Sequence, residues 1–78
     1  MMRIPVQGEA PAAPVQPLTR RELEVLAHID ALLPTRQIAA EMFVSVNTVK
    51  THVRAILRKL AAERRNEAVR RARELGLL

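Results

Sequence analysis

Between Val46 and Leu60 the chain reads VNTVKTHVRAILRKL, a stretch with an amide, hydroxyls, guanidinium groups and ammonium groups but no carboxylate; Asp and Glu are absent as far as Ala62. Wound as a helix and measured from Val49, the apolar residues Val49, Val53, Ile56, Leu57 and Leu60 fall at roughly 340° to 80°. Asn47, Thr51, Arg54 and Arg58 fall on the opposite side, at about 140° to 200°. Lys50 flanks one edge of that polar face, and His52 and Lys59 flank the other. An arginine fork matches guanine O6 and N7, and a lysine reaches the same acceptors. Asn and Thr hold phosphates or touch base edges. The face therefore has the chemistry of a major-groove reader. An ordinary amphipathic helix would show the same periodicity, but cap, turn, charge and face agree here.

Several elements must position that helix. Ser45 is a suitable N-cap, and Val44 and Val49 take the two places of a hydrophobic staple around it. Phe43-Val44-Ser45 has room only for a tight turn. Before it, Thr35 is expected to cap a short helix whose inner face is Ile38, Ala39 and Met42. Upstream, Thr19-Arg20-Arg21-Glu22 fits a capping box, Leu18 and Leu23 a second staple, and Val25, Leu26, Ile29 and Leu32 an apolar stripe. Pro34 disfavours helix at Leu33 and ends that element. Downstream, Asn66 to Leu75 sets Ala68, Val69, Ala72 and Leu75 on one side, and Gly76 is a helix stop. No strand pattern is present. The expected fold is all-α: helix, short helix, three-residue turn, long helix from about Val46 to Leu60, and a final helix. The second and third form a helix-turn-helix.

The composition agrees. Seventy-eight residues allow one small core, and a core of that size leaves a few kcal/mol of net stability, about 3–5. A deep catalytic pocket is not expected, and no Ser, Thr or Lys has an evident base and orienting partner. Cysteine is absent, which removes disulfides, zinc-thiolate sites and thiol nucleophiles and fits a reducing cytoplasm. His28 and His52 are the two histidines; Glu24 shares a face with His28, but no third ligand is evident, so neither metal nor cofactor is expected. The net charge of +5 is uneven: residues 1–45 hold four basic and five acidic side chains, residues 46–78 nine and three. A one-sided basic field attracts polyanions. No apolar run approaches a membrane span. Residues 1–17, with Pro5, Pro11, Pro14 and Pro17, read as a disordered tail or linker, and residues 18–78 as the domain.

The chain resembles the LuxR-type helix-turn-helix, also called the FixJ or GerE type. The residues that carry the resemblance are Leu18-Thr19-Arg20-Arg21-Glu22-Leu23-Glu24-Val25-Leu26, Ile38-Ala39 and Ser45-Val46-Asn47-Thr48-Val49-Lys50-Thr51-His52-Val53. Ile56-Leu57, Lys59-Leu60, Arg65 and Glu67-Ala68-Val69 continue it, and Ser-x-x-Thr-Val-Lys-x-His is its most specific part. The resemblance implies four helices, the third in the major groove and the fourth in a dimer contact. By position it implies that Lys50, Thr51 and Arg54 face base edges. Thr35, Arg36, Asn47, Thr48, Arg58 and Lys59 would meet the phosphate backbone, and Ala68, Val69, Ala72 and Leu75 would meet a second copy. Three departures stand out at the turns, where the family often has glycine and this chain has Leu32, Phe43 and Ala61. Arg64 also replaces the usual small polar cap of the fourth helix. The helix propensity of Ala61-Ala62-Glu63 favours a third helix that runs longer than usual.

The function expected from all this is sequence-specific binding of double-stranded DNA by the output domain of a bacterial transcriptional regulator. It would act as a weak homodimer strengthened on DNA, recruiting or blocking RNA polymerase in the cytoplasm. A sigma-factor region four is disfavoured by Lys50-Thr51-His52 and the fourth helix. A protein-interaction module would use Val69, Ala72 and Leu75 without binding DNA. A membrane binder lacks bulky interfacial aromatics.

Overall fold

The computed structural model describes residues 17–78. They form α1 (Arg20–Asp30), α2 (Thr35–Met42), α3 (Val46–Lys59) and α4 (Arg65–Glu74), with no strand among the described residues. Of the stretch 1–17 expected to be a tail, all but Pro17 lies outside the described residues.

α1 starts as its sequence requires. The Thr19 hydroxyl accepts the Glu22 N–H at 3.1 Å, and Glu22 Oε1 accepts the Thr19 N–H at 2.9 Å, closing the capping box. α3 starts on Ser45, whose hydroxyl accepts the Thr48 N–H at 3.0 Å and donates to Thr48 Oγ1 at 2.9 Å. Each side chain satisfies a first-turn donor that has no partner within its helix. The start of α2 corrects one expectation. Pro34, not Thr35, holds the cap position, and no side chain caps the helix there. Thr35 is the first helical residue, and its hydroxyl is engaged elsewhere.

All four helices stop in the same way. Leu33 N–H bonds His28 C=O, Val44 bonds Ala39, Ala62 bonds Leu57, and Leu77 bonds Ala72, at 3.1, 3.0, 2.8 and 2.8 Å. Each bond spans a residue at positive φ: Leu32 at 67°, Phe43 at 58°, Ala61 at 54° and Gly76 at 77°. A left-handed residue turns the chain back so that orphan carbonyls of the last turn find donors. Only Gly76 adopts that backbone without a Cβ penalty. At the other three, the following apolar residue supplies the compensation: Leu33, Val44 and Ala62 pack in or against the core. Ala61 therefore does not extend α3. Burial of Leu60 and Ala62 on either side of it outweighs the helix propensity of the Ala-Ala-Glu run, and α3 ends at Lys59.

α3 is the centre of the domain and packs against α1, α2 and α4; α1 also packs against α4 and, over a smaller contact, α2. Val25, Leu26, Ile38, Val49 and Ile56 are buried almost completely, and Ala68 and Ala72 bring α4 close to them. Two hydrogen-bonded pairs pin α4 at its ends. Arg65 donates to Thr35 Oγ1 at the start of α2, and Arg73 pairs with Asp30 at the end of α1, at 2.5 and 2.6 Å.

Candidate nucleic-acid interface

The apolar stripe read from the sequence of α3 faces inward: Val49, Val53 and Ile56 are buried, and Leu57 packs against the core. The opposite side is therefore fixed toward solvent. Asn47, Lys50, Thr51, Arg54 and Arg58 are all exposed. Asn47 to Arg58 covers about 16 Å of helix axis at 1.5 Å per residue, enough to follow a groove about 12 Å wide. Among the described residues none of Lys50, Arg54 and Arg58 is paired with a carboxylate. Their charges remain available to an outside anion.

The remaining expected phosphate contacts occupy different settings. Arg36 is exposed in the first turn of α2. Thr35 is half-buried and accepts from Arg65. Thr48 is half-buried at the start of α3, bonded to the Ser45 hydroxyl. Lys59 is drawn inward. Its ammonium lies 2.8 Å from Glu22 Oε1 and donates to the Pro17 carbonyl at 3.3 Å, and its side chain is only 11% exposed. Burial would raise the pKa of Glu22, but hydrogen bonds from Lys59 and from the Thr19 N–H, with the nearby charges of Lys59 and His52, hold it below the usual carboxylate range. Half-buried His52 thus sits near the same carboxylate. Nothing local in the sequence marks this pair, because Glu22 reads as half of a capping box and Lys59 as the edge of a polar face.

The fourth helix also differs from expectation in what it offers a partner. Ala68 and Ala72 are 0% exposed and sealed into the domain's own core, so they have no surface to give a second copy. Val69 and Leu75 are half-buried. Val69 lines a shallow apolar groove with Ile29, Leu32 and Leu33. At the start of α4, Arg64 holds the cap position without a side-chain bond, and Glu67 Oε1 accepts the Glu63 N–H at 2.9 Å instead. Among the described residues no cluster of three or more His, Asp or Glu could hold a metal ion, and no helix is long and apolar enough to cross a membrane.

A short helix, a three-residue turn and a longer capped helix with an exposed, acid-free basic face define a helix-turn-helix of the DNA-binding type. Residues 16–72 match the family described as "GerE: Bacterial regulatory proteins, luxR family", and the chain belongs to that family. It is 50% identical over 54 residues to the uncharacterized transcriptional regulatory protein YxjL of Bacillus subtilis, a match covering 69% of this chain and 25% of that protein. Over 59 residues it is 44% identical to the HTH-type transcriptional regulator MalT of Serratia proteamaculans, covering 76% of this chain and 6% of MalT. Among solved structures it is similar to the response regulator ChrA of a heme-sensing two-component system. There the TM-score is 0.79 and the identity 38%, over 90% of this chain and 35% of ChrA. The chain thus spans a quarter or less of the length of these curated relatives. Its family is one of DNA-binding domains of transcriptional regulators, not of enzymes.

Proposed function

We propose that this domain binds double-stranded DNA sequence-specifically, with α3 in the major groove, as the output domain of a bacterial transcriptional regulator working in the cytoplasm. The observation that carries this reading is the exposed side of α3, where Lys50, Arg54 and Arg58 stand without carboxylate partners. Lys50, Thr51 and Arg54 read base edges. Thr35, Arg36, Asn47, Thr48 and Arg58 hold the phosphate backbone on either side, as first-helix and recognition-helix residues do in this arrangement. Lys59 supports that set indirectly: bound to Glu22, it fixes the end of α3 against the start of α1.

A second copy would meet Val69 and Leu75, with the neighbouring groove of Ile29, Leu32 and Leu33, since Ala68 and Ala72 are enclosed. So thin a strip gives weak self-association in free solution, and adjacent half-sites on DNA assemble the pair by raising its effective concentration. Occupancy near a promoter then recruits or blocks RNA polymerase.

Fluorescence anisotropy of a random-sequence duplex at two salt concentrations tests the DNA reading. Binding that is weak but falls steeply with salt is expected, because each phosphate neutralised releases about 0.9 counterions. Salt-independent binding, or none, would sink it.

A further inference from the structure

Arg65 is part of the family pattern, yet neither base nor phosphate contact accounts for it. The structure shows what it touches. Its Nη2 donates to the Thr35 hydroxyl at 2.5 Å, joining the first residue of α4 to the first residue of α2 across a separation of 30 in the sequence. The contact is partly buried. Thr35 does not cap its own helix, because Pro34 occupies the cap position. Its hydroxyl has another task.

A guanidinium has donors and no acceptor. Arg65 therefore forces Thr35 Oγ1 to accept, and the hydroxyl hydrogen must turn away from the cation. Among the described residues the Thr35 hydroxyl makes no hydrogen bond besides the one it accepts from Arg65. A hydroxyl that accepts from a cation is also polarised, which strengthens it as a donor along a hydrogen-bonded chain. What results is a hydroxyl whose hydrogen is turned from Arg65 and left for another acceptor, beside exposed Arg36 at the start of the helix that crosses the DNA backbone in this arrangement. Such a hydrogen suits a phosphate oxygen, which only accepts.

The geometry points to Arg65 as a positioning residue for DNA binding: from α4 it orients the Thr35 hydroxyl as a donor to a backbone phosphate. This rests on the DNA reading proposed above. It makes the seat of α4, fixed at its other end by Arg73 and Asp30, a condition for full backbone contact by α2. Arg65 itself stays with Thr35 and neutralises no phosphate.

The test is a double-mutant cycle on the 78-residue chain with a labelled random-sequence duplex, following affinity, salt slope and melting temperature. Thr35→Val and Arg65→Met should each weaken binding by roughly fivefold, a typical net loss for one hydrogen bond. The double variant should bind no more weakly than the weaker single, Thr35→Ser should stay within about twofold of the parent, and the salt slope should be unchanged in Arg65→Met. A slope that falls by about 0.9 in Arg65→Met, with additive losses, would make Arg65 a phosphate ligand and overturn the assignment. So would lowered melting temperatures with duplex affinity intact, which would mark the bond as structural only. Arg58→Ala serves as a control: if the parent binds duplex and Arg58→Ala weakens it while the Thr35 and Arg65 variants do not, only this inference fails. A parent that binds no duplex overturns both readings.

Discussion

α3 and α4 together carry most of the basic side chains of the chain's second half, but they treat them differently. On α3, Lys50, Arg54 and Arg58 are exposed and unpaired among the described residues. On α4, Arg65 is bonded to Thr35, Arg71 is paired with Glu67, and Arg73 with Asp30; Arg70 is exposed. Lys59, one residue beyond Arg58, already belongs with the second group through Glu22. Net charge therefore overstates the surface offered to a polyanion. What matters is which cations still lack an internal partner, and three of these among the described residues, Lys50, Arg54 and Arg58, lie along one side of α3.

Four experiments would break or sharpen that contrast. The largest effect belongs to the buried pair. Lys59→Met leaves Glu22, only 6% exposed, without its cation, and should destabilise the domain by about 3 kcal/mol, most of what so small a core supplies. The pH dependence follows from the lowered pKa of Glu22. The contribution of the pair is complete above the ordinary carboxylate range near about 4.3 and is lost as pH falls through the lower folded value. In Lys59→Met burial is opposed less, so the acid loss should begin at higher pH. Melting temperatures between acid and neutral pH check both statements, and an unmoved acid limb would contradict them.

Next come the free cations. Arg54→Ala should cost roughly 1–3 kcal/mol on a preferred sequence and much less on random duplex, whereas Arg58→Ala should weaken all duplexes alike and lower the salt slope by about one ion. Equal losses from Arg54→Ala on both duplexes would move it to the phosphate group. Smaller again is the effect of the backbone. Leu32→Gly and Phe43→Gly should each raise stability by about 0.5–1 kcal/mol in denaturant melts, because their side chains, 87% and 94% exposed, contribute little packing against the cost of positive φ. Destabilisation would mean that these side chains pack in solution. The smallest change is expected from a paired cation: Arg73→Ala, 59% exposed, should alter stability by less than about 1 kcal/mol and leave the duplex salt slope unchanged.

The parts of this arrangement that were legible in the sequence are local. Thr19 with Glu22 and Ser45 with Thr48 act within one turn, and the inward stripe of α3 repeats at helical spacing. The four helices follow from such signals, and the family match and the likeness to ChrA bear the fold out. The illegible parts are non-local or break a preference. Glu22 and Lys59 are 37 residues apart and meet only when α1 packs on α3. Thr35 looks like a cap, but Pro34 takes the position and Arg65 claims the hydroxyl. Leu32, Phe43 and Ala61 carry no mark of a left-handed backbone; only the glycines usual there in the family hinted at it, and the apolar residue after each turn proves to be the stronger instruction.

The four identical helix stops have a consequence for how such a domain travels through evolution. Each end is closed by its own backbone and by the very next side chain, so no neighbouring domain has to supply a cap or complete the core. A unit closed in this way can be joined to unrelated sequence without rebuilding its edges. Its relatives bear the mark of that: the shared stretch makes up a quarter of one regulator and a sixteenth or so of another, about 6%. A domain that finishes its own helices can be inherited as a whole word rather than as part of a sentence.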